Sequence, residues 1–244
     1  MFFDLAGTLI HVRGALGHQY AAIAREFGVN PDPRTVDAVF AEAFQAAGPM
    51  LPPEMGSGTF SEKGSGTFPG RRGGGAGVLE GRGAGLYSRI GVEMAASAFD
   101  RYFGRLFDHF ARAGAWDIYP DVEPTLERLQ RSGLTLGLIT NFDVRVARLL
   151  PALGLDRFFS TLAIPAHAGA AKPDGGILEY ALAQHWLGAV EAVQVGDSLE
   201  DNVTGARAAG LDAVLLDRRG RHVGIVPPAI RSLEELPRRL GLER

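Results

Sequence analysis

No cysteine occurs among the 244 residues, and lysine occurs only at positions 63 and 172. The absence of cysteine excludes disulfides, thiolate nucleophiles and metal sites built on cysteine. It also fits a reducing compartment, where disulfides are rare. Because the other basic residues are arginines, Lys63 and Lys172 are the two candidates for any chemistry that requires an amine.

The sequence also lacks a strong charge bias and a long hydrophobic run. The net charge is −3 at pH 7, so no basic excess favours nucleic acid or an anionic membrane. No apolar run reaches the ~18–20 residues of a membrane span, and the first residues lack the pattern of a signal peptide. We therefore expect a cytoplasmic globular protein, a monomer or homodimer, that binds neither nucleic acid nor membrane.

Short apolar segments that alternate with amphipathic helices dominate the second half of the chain. Such alternation is typical of βαβ units on a parallel sheet. A largely helical stretch separates the first predicted strand from the rest, which indicates an insertion. We predict an α/β fold with a Rossmann-like parallel-sheet core, residues 1–12 and 117–244, and an inserted all-α cap, residues 13–116. The predicted strands are residues 1–3, 134–139, 161–164, 192–195 and 212–216.

Three helices are predicted in the insertion, at residues 17–27, 34–47 and 86–113. Between the last two lies a glycine-rich segment, residues 52–85, which contains the duplicated sequence GSGTF. It has few branched apolar residues, so burial cannot offset the entropy lost on ordering. We predict a flexible loop there.

Polar residues follow three of the predicted core strands, at the point where each strand ends. Ligands of open parallel sheets bind at the carboxyl ends of the strands, so we expect these side chains to converge. Lys172 precedes a predicted helix near the same edge. The residues at the strand ends are Asp4, Thr140, Asn141 and Asp197, with Asp201 shortly after.

Three carboxylates in one place would repel each other unless a cation or a proton were bound. Hard oxygen ligands suit Mg²⁺. Each motif also has a purely structural explanation. Thr140-Asn141 could cap the next helix, Asp201 could be a first-turn acid favoured by the helix dipole, and Lys172 could be a solvated surface residue. The combination, in this order and at these positions, nevertheless predicts a functional site.

The arrangement resembles the haloacid dehalogenase (HAD) superfamily. Its four motifs look matched by FFDLAGTL at residues 2–9, LGLITN at 136–141, KPD at 172–174 and VGDSxxD at 195–201. The inserted helices resemble the C1 cap of subfamily IA. The sequence LIHVR at residues 9–13, with TNFD at 140–143, is most similar to the REG-2-like (HDHD-type) branch.

The resemblance implies that Asp4 attacks phosphorus and forms an aspartyl-phosphate that water then hydrolyses. It also implies a Mg²⁺ cofactor held by Asp4, the backbone carbonyl of Ala6 and Asp197, with Asp201 in support directly or through water. The substrate would be a small phosphorylated or phosphonate metabolite.

The same resemblance assigns roles to the remaining site residues. Thr140 and the backbone amide of Asn141 would bind the phosphoryl oxygens, and Lys172 would balance the charge on Asp4 and on the transferring group. His11 and Arg13 lie just past the nucleophile turn, where they are candidate substrate contacts.

Position 6 departs from the family pattern. In typical family phosphatases the residue two after the nucleophile is a second Asp that serves as the general acid, whereas this chain has Ala6, which cannot carry a proton. General acid–base catalysis contributes ~10²–10⁴-fold. We therefore expect a phosphatase that is weak on alkyl phosphates or selective for good leaving groups such as aryl or acyl phosphates.

Two alternatives remain open at this point. A phosphonoacetaldehyde-hydrolase-like enzyme also carries Ala at this position, but it needs a cap lysine to form a Schiff base, and Lys63 is the only candidate. The fold could also serve as a non-catalytic phosphate-binding or protein-interaction module. Dehalogenation is disfavoured because the Gly196-Asp197 motif favours a metal.

Overall fold

The computed structural model describes residues 1–46, 87–222, 224 and 229–242. The glycine-rich residues 52–85, predicted to form a flexible loop, lie outside this part of the chain. Contacts divide the chain into two compact units, one formed by residues 1–11 and 117–244 and the other by residues 12–116.

The regular elements are short. The strands are β1 (Phe2–Phe3), β2 (Ile10–Val12), β3 (Trp116–Ile118), β4 (Gly137–Ile139), β5 (Thr161–Ala163), β6 (Val193–Gly196) and β7 (Asp212–Leu215). The described α-helices of four or more residues are α1 (Leu16–Arg25), α2 (Pro33–Ala46), α3 (Ala96–Phe110), α4 (Val122–Arg131), α5 (Val146–Ala152), α6 (Pro165–Ala168), α7 (Gly175–Ala183), α8 (Gly205–Ala208) and α9 (Leu236–Arg239).

The larger unit is built on a five-stranded sheet in the order β5-β4-β1-β6-β7. Neighbouring strands run parallel throughout, which confirms the predicted α/β fold. The central strand β1 contains only two residues, and both phenylalanines are buried. Phe3 is paired with Leu138 on one side and with Val195 on the other. The residue that follows β1 is therefore flanked by the ends of β4 and β6.

Helices of the larger unit bury one face against the sheet. In α4 the buried residues Val122, Thr125, Leu126 and Leu129 recur at the helical period, while four charged residues, Pro124 and Gln130 occupy the other positions. In α7 the residues that face the core belong to a cluster that also includes Phe2 of the central strand. This repeat of three and four residues is the pattern from which the sequence predicted these helices.

The sequence did not predict β2 and β3, which form a separate two-stranded sheet. Backbone hydrogen bonds extend it, from Tyr119 N–H to the Leu9 carbonyl at 3.1 Å and from Arg13 N–H to the Ala115 carbonyl at 2.9 Å. The boundaries between the two units fall within these strands. A strand of three residues is too short to show an alternating pattern.

The inserted unit packs its helices around one apolar cluster. Phe99, Tyr102 and Leu106 of α3 are buried in it, together with Phe40 of α2. The buried aromatic residues of α3 thus serve packing.

The predicted helix at residues 86–113 is wrong over its first part. A short helical turn at residues 87–89 ends at Gly91, which has a φ of +71°. The Gly91 N–H donates to the Ser88 carbonyl and the Val92 N–H to the Tyr87 carbonyl. This is the Schellman pattern that terminates a helix, and α3 begins only at Ala96.

The two tryptophans have opposite surroundings. Trp116 is 7% exposed, and its indole N–H donates to the Phe110 carbonyl at 3.0 Å. Trp186 follows α7 with a φ of +55° and is 95% exposed.

Within the described ranges, no helix combines the length and hydropathy needed to cross a bilayer.

Candidate active site

Most of the predicted site residues follow the carboxyl ends of three adjacent strands. Asp4 follows β1, Thr140 and Asn141 follow β4, and Asp197 follows β6. Because β1 lies between the other two strands, the strand order places these residues along one stretch of the sheet edge.

Lys172 forms an ion pair with Asp4 beneath this edge. Its Nζ lies 2.8 Å from Asp4 Oδ1 and 2.6 Å from Asn202 Oδ1. The lysine is only 3% exposed, and Asn202 also accepts a hydrogen bond from Gln194 at 3.3 Å. Burial of an ammonium group is costly unless it is paired, and here a carboxylate and an amide oxygen share it. The sequence analysis missed Asn202, which directly follows Asp201 and has no distinguishing pattern.

Asn141 holds the backbone of Lys172 rather than facing open solvent. Its Nδ2 donates to the Lys172 carbonyl at 2.9 Å, and its Oδ1 accepts the Lys172 N–H at 2.8 Å. Both side-chain groups of Asn141 are therefore used to position the lysine. Thr140 Oγ1 accepts the Phe142 N–H at 3.2 Å, which leaves its hydroxyl proton available to another acceptor.

Two glycines let polar side chains approach the backbone closely. A Cβ at Gly7, whose φ is +85°, would overlap the carboxylate of Asp197. A Cβ at Gly196 would overlap the side chain of Asn202. The turn after Asp4 is thus packed directly against Asp197, and the positive φ at position 7 is one that side chains rarely adopt.

Asp201 lies in a π-helical segment, Leu199–Thr204, which continues into α8. From the alternation of strands and helices in the second half of the chain, an ordinary amphipathic helix was expected after the strand at residues 192–195. Ser198 caps the segment by accepting the Asp201 N–H at 3.1 Å. Short π-helical segments are frequent at functional sites.

Burial and mutual repulsion disfavour the ionised carboxylates at this edge. Burial and then the charge of Asp4 raise the pKa of Asp197 to about 7, although Lys172 and Arg221 oppose the shift. Burial also raises the pKa of Asp201 to about 6, opposed mainly by Lys172. The cations present therefore do not offset the acidic charge.

The donor set fits a hard divalent cation. Asp201 Oδ1 is buried and has no hydrogen-bond partner, and the pKa values of Asp197 and Asp201 are raised because nearby cations offset burial and repulsion only in part. In the described part of the chain, no three His, Asp or Glu side chains form a metal-holding cluster. Mg²⁺ typically uses one or two carboxylates and completes its shell with water, so Asp4, Asp197 and the Ala6 carbonyl would be a sufficient set.

Position 6 offers no acid. Ala6 is exposed, and the turn beyond it is closed by a hydrogen bond from Gly7 N–H to the Ile10 carbonyl at 2.8 Å. His11, predicted as a substrate contact, is half-buried, and its ring lies tilted against that of Tyr119 with ring centroids 4.6 Å apart.

A second ion pair, not predicted from the sequence, holds the turn after Asp4. Arg218 donates to both oxygens of Asp121, at 2.8 and 2.9 Å, and to the Thr8 carbonyl at 2.9 Å. Its guanidinium also lies 3.8 Å from the centroid of the Tyr119 ring. Arg218 and Asp121 are far apart in sequence, and neither follows a motif that could have indicated the pairing.

The sequence analysis named two further residues, Arg13 and Lys63. Arg13 belongs to the inserted unit, where its guanidinium donates to the Trp116 carbonyl at 3.3 Å. Lys63, the amine required for phosphonoacetaldehyde-type chemistry, lies outside the described residues.

One known protein resembles this chain over nearly its whole length and another over less than half of it. A haloacid dehalogenase-like hydrolase domain-containing protein 3 from Danio rerio is 29% identical over 244 residues, which cover 98% of this chain and 95% of that protein. The phosphoserine phosphatase of Thermus thermophilus is 37% identical over 111 residues, 45% of this chain and 44% of that protein.

The fold has solved counterparts as well. The crystal structure of a HAD phosphatase from Thermococcus onnurineus is similar with a TM-score of 0.61 at 24% identity, covering 100% of this chain and 98% of that one. A family model described as haloacid dehalogenase-like hydrolase matches residues 1–210. The match spans four of the five strands of the core sheet, the inserted helices and the site residues from Asp4 to Asn202, and the chain therefore belongs to the haloacid dehalogenase-like hydrolase family.

Proposed function

We propose that this hydrolase is a Mg²⁺-dependent phosphatase of small phosphorylated metabolites that transfers the phosphoryl group to Asp4. The observation that carries the proposal is the buried pair of Lys172 Nζ and Asp4 Oδ1, 2.8 Å apart at the carboxyl end of the central strand. The resemblance to a phosphatase over the matched half of the chain supports it.

The lysine prepares Asp4 for attack on an anion. A phosphate monoester carries negative charge, and an unpaired carboxylate would repel it. Lys172 neutralises part of that repulsion, and because it is buried its charge is weakly screened. Asn141 and Asn202 fix the lysine from its backbone and from its ammonium end.

The metal would be held by Asp4, the Ala6 carbonyl and Asp197, with Asp201 in support. When bound, Mg²⁺ supplies positive charge that stabilises the phosphoryl oxygens. Thr140 would donate its free hydroxyl proton to a phosphoryl oxygen, and the Asn141 backbone N–H would donate to another.

The reaction proceeds in two displacements at phosphorus. The Asp4 carboxylate forms a bond to phosphorus while the bond to the leaving oxygen breaks, which gives an aspartyl-phosphate and a departing oxyanion. Water then attacks phosphorus, releases inorganic phosphate and restores the carboxylate. With Ala6 in place of an acid, the departing oxygen must take its proton from elsewhere, so substrates with acidic leaving groups such as aryl and acyl phosphates are favoured.

Hydrolysis of p-nitrophenyl phosphate and acetyl phosphate, measured with Mg²⁺ and with EDTA, tests the proposal. Asp4→Asn removes the nucleophile and should abolish the Mg²⁺-dependent turnover. Asp212→Asn is the matched control, because Asp212 is exposed at the amino end of β7. Turnover that persists in Asp4→Asn, or that is unaffected by EDTA, contradicts the proposal.

A further inference from the structure

A short arginine-rich loop lies beside the candidate active site. Residues 217–222 follow β7 at the same edge of the sheet as Asp197, since Leu215 is paired with Gly196 in the neighbouring strand. The loop contains Arg218, Arg219 and Arg221.

The backbone of this loop is held by several contacts. The Asp217 N–H donates to the Ile230 carbonyl at 2.8 Å, and the Asp217 carboxylate accepts the His222 N–H at 2.8 Å. Gly220, with a φ of +69°, leaves space that the guanidinium of Arg231 occupies. These contacts hold the loop backbone in place, so the positions of its residues do not depend on their exposed side chains.

Arg218 ties the loop to the nucleophile turn. It points inward, where it donates to the Thr8 carbonyl and to Asp121. Thr8 lies four residues after Asp4, so Arg219 and Arg221, which follow Arg218, extend from a backbone that borders the reacting centre.

Arg219 and Arg221 differ from Arg218 in their exposure and in their contacts. Both are exposed, and among the described residues neither has a carboxylate within ion-pair distance. Arg221 lies near the carboxylate of Asp197, which follows the neighbouring strand β6. Arg219 lies near Tyr119, the ring that contacts the guanidinium of Arg218.

We propose that Arg219 and Arg221 bind a second oxyanion, a carboxylate or a further phosphate, carried by the phosphorylated substrate. The inference rests on the proposed phosphatase function, because it assigns the substrate class of that site. Guanidinium groups bind carboxylates and phosphates through two parallel hydrogen bonds. Two cations without acidic partners, fixed next to an acidic catalytic centre, provide such a subsite, whereas arginines that are merely solvated would not discriminate between substrates.

Binding to the inert Asp4→Asn variant, measured by calorimetry with Mg²⁺, tests the subsite independently of turnover. The carboxylate arm compares 2-phosphoglycolate with 2-hydroxyethyl phosphate, and the phosphate arm compares fructose 1,6-bisphosphate with fructose 6-phosphate. We expect the doubly anionic ligand to bind about tenfold more tightly in at least one arm, the effect of about one charge-assisted hydrogen bond. The arm that shows the preference identifies the anion.

The same measurement in R219Q/R221Q should remove the preference, whereas R238Q/R239Q, which removes two exposed arginines from α9, should retain it. In the Asp4→Asn protein that keeps both loop arginines, the preference should also decrease as the salt concentration rises from about 50 to about 500 mM, because the screening length becomes shorter. This measurement does not depend on the folding of a loop variant. Equal or undetectable binding of both members in both arms overturns the inference, as does a preference that survives R219Q/R221Q. Failure of the phosphatase proposal is separate, because it appears as absent turnover in the chain that retains Asp4.

Discussion

Lys172 reaches across 168 positions of sequence to place its ammonium nitrogen 2.8 Å from Oδ1 of Asp4, with both side chains largely buried. Lys63, the other lysine of the sequence, lies outside the described residues. A buried charge of this kind is stable only while its partner is present.

Replacement of Lys172 by Met should therefore lower both activity and stability. We expect kcat for p-nitrophenyl phosphate to fall about 10²–10³-fold, as when one transition-state donor is removed. The free energy of unfolding should fall by about 3–5 kcal/mol because Asp4 is left buried without its cation. Urea denaturation and steady-state kinetics provide the two measurements. The double variant Lys172→Met/Asp4→Asn should recover part of the stability, and strictly additive losses would contradict the pairing.

Stability in the absence of metal should depend on the charge of Asp197. Its pKa is raised to about 7 by burial and by Asp4, whereas an unfolded Asp titrates near ~3.9. The protonated form thus favours folding fully below about pH 4, and this contribution is lost as the pH rises through about 7. Asp197→Asn should therefore increase the melting temperature in EDTA by a few degrees at pH 8 and by much less at pH 5.

Addition of Mg²⁺ provides a second test of the role of Asp197. At pH 8 the metal should raise the melting temperature of the unmodified chain and have little effect on Asp197→Asn, since the variant has lost one ligand. Asp212→Asn, in which the substituted residue is exposed at the start of β7, should behave like the unmodified chain. If Asp197→Asn raises the melting temperature in EDTA equally at pH 5 and pH 8, Asp197 does not titrate in this range.

Restoring an acid at position 6 should increase turnover of alkyl phosphates. Ala6 is exposed, so Ala6→Asp adds a carboxyl group without displacing the core. We expect a gain of about 10²-fold on glycerol 3-phosphate, at the lower end of general acid catalysis, and a smaller gain on p-nitrophenyl phosphate, whose leaving group needs no proton. Ala6→Asn is the control of equal size. A similar gain from both variants, or none from Ala6→Asp, would contradict the assignment of position 6 as the missing acid.

The Arg218–Asp121 pair should contribute to stability in a pH-dependent way. Burial acts to raise the pKa of Asp121, but hydrogen bonds from Arg218, Ser232 and the Leu233 N–H hold it below its usual value. The stabilisation is therefore present above about pH 4, where the unfolded residue ionises, and is lost as the pH falls through the lower folded value. Asp121→Asn should destabilise the fold by about 3–5 kcal/mol at pH 7 and by less at pH 3.

Comparison of Asp121→Asn with Ser232→Ala separates the charge from the neutral hydrogen bond, because Ser232 donates to the same carboxylate oxygen at 2.8 Å. The serine variant should cost only about 1 kcal/mol, with little change between pH 7 and pH 3. If both variants lose the same stability at both pH values, the ion pair does not have the role assigned to it.

The sequence predicted the sheet and the strand ends because each strand, however short, is a buried apolar run bounded by polar residues. Asp4 after two phenylalanines and Asp197 after Val195-Gly196 are local signals of this kind. Lys172 was identified only from the combination of motifs, since a lysine followed by proline carries no structural information alone. Its contact with Asp4 depends on the parallel register of β1 with its neighbours.

Contacts made by side chains of distant segments could not be predicted in this way. Asn202 supports Lys172, and Arg218 holds the Thr8 carbonyl, yet neither residue type nor spacing distinguishes them from other polar residues. The break at Gly91 was missed for a different reason. An isolated glycine is tolerated in many helices, and only the hydrogen bonds of the following residues show that the helix ends there.

The contrasting surroundings of Trp116 and Trp186 give the protein a built-in optical probe. With Trp186→Phe, emission would come from Trp116 alone, whose ring is packed against Phe110 of the inserted unit. A red shift of that emission in denaturant would then follow the loosening of this unit. Emission from Trp186, recorded in a Trp116→Phe protein, would stay at long wavelength throughout because the indole is already in water.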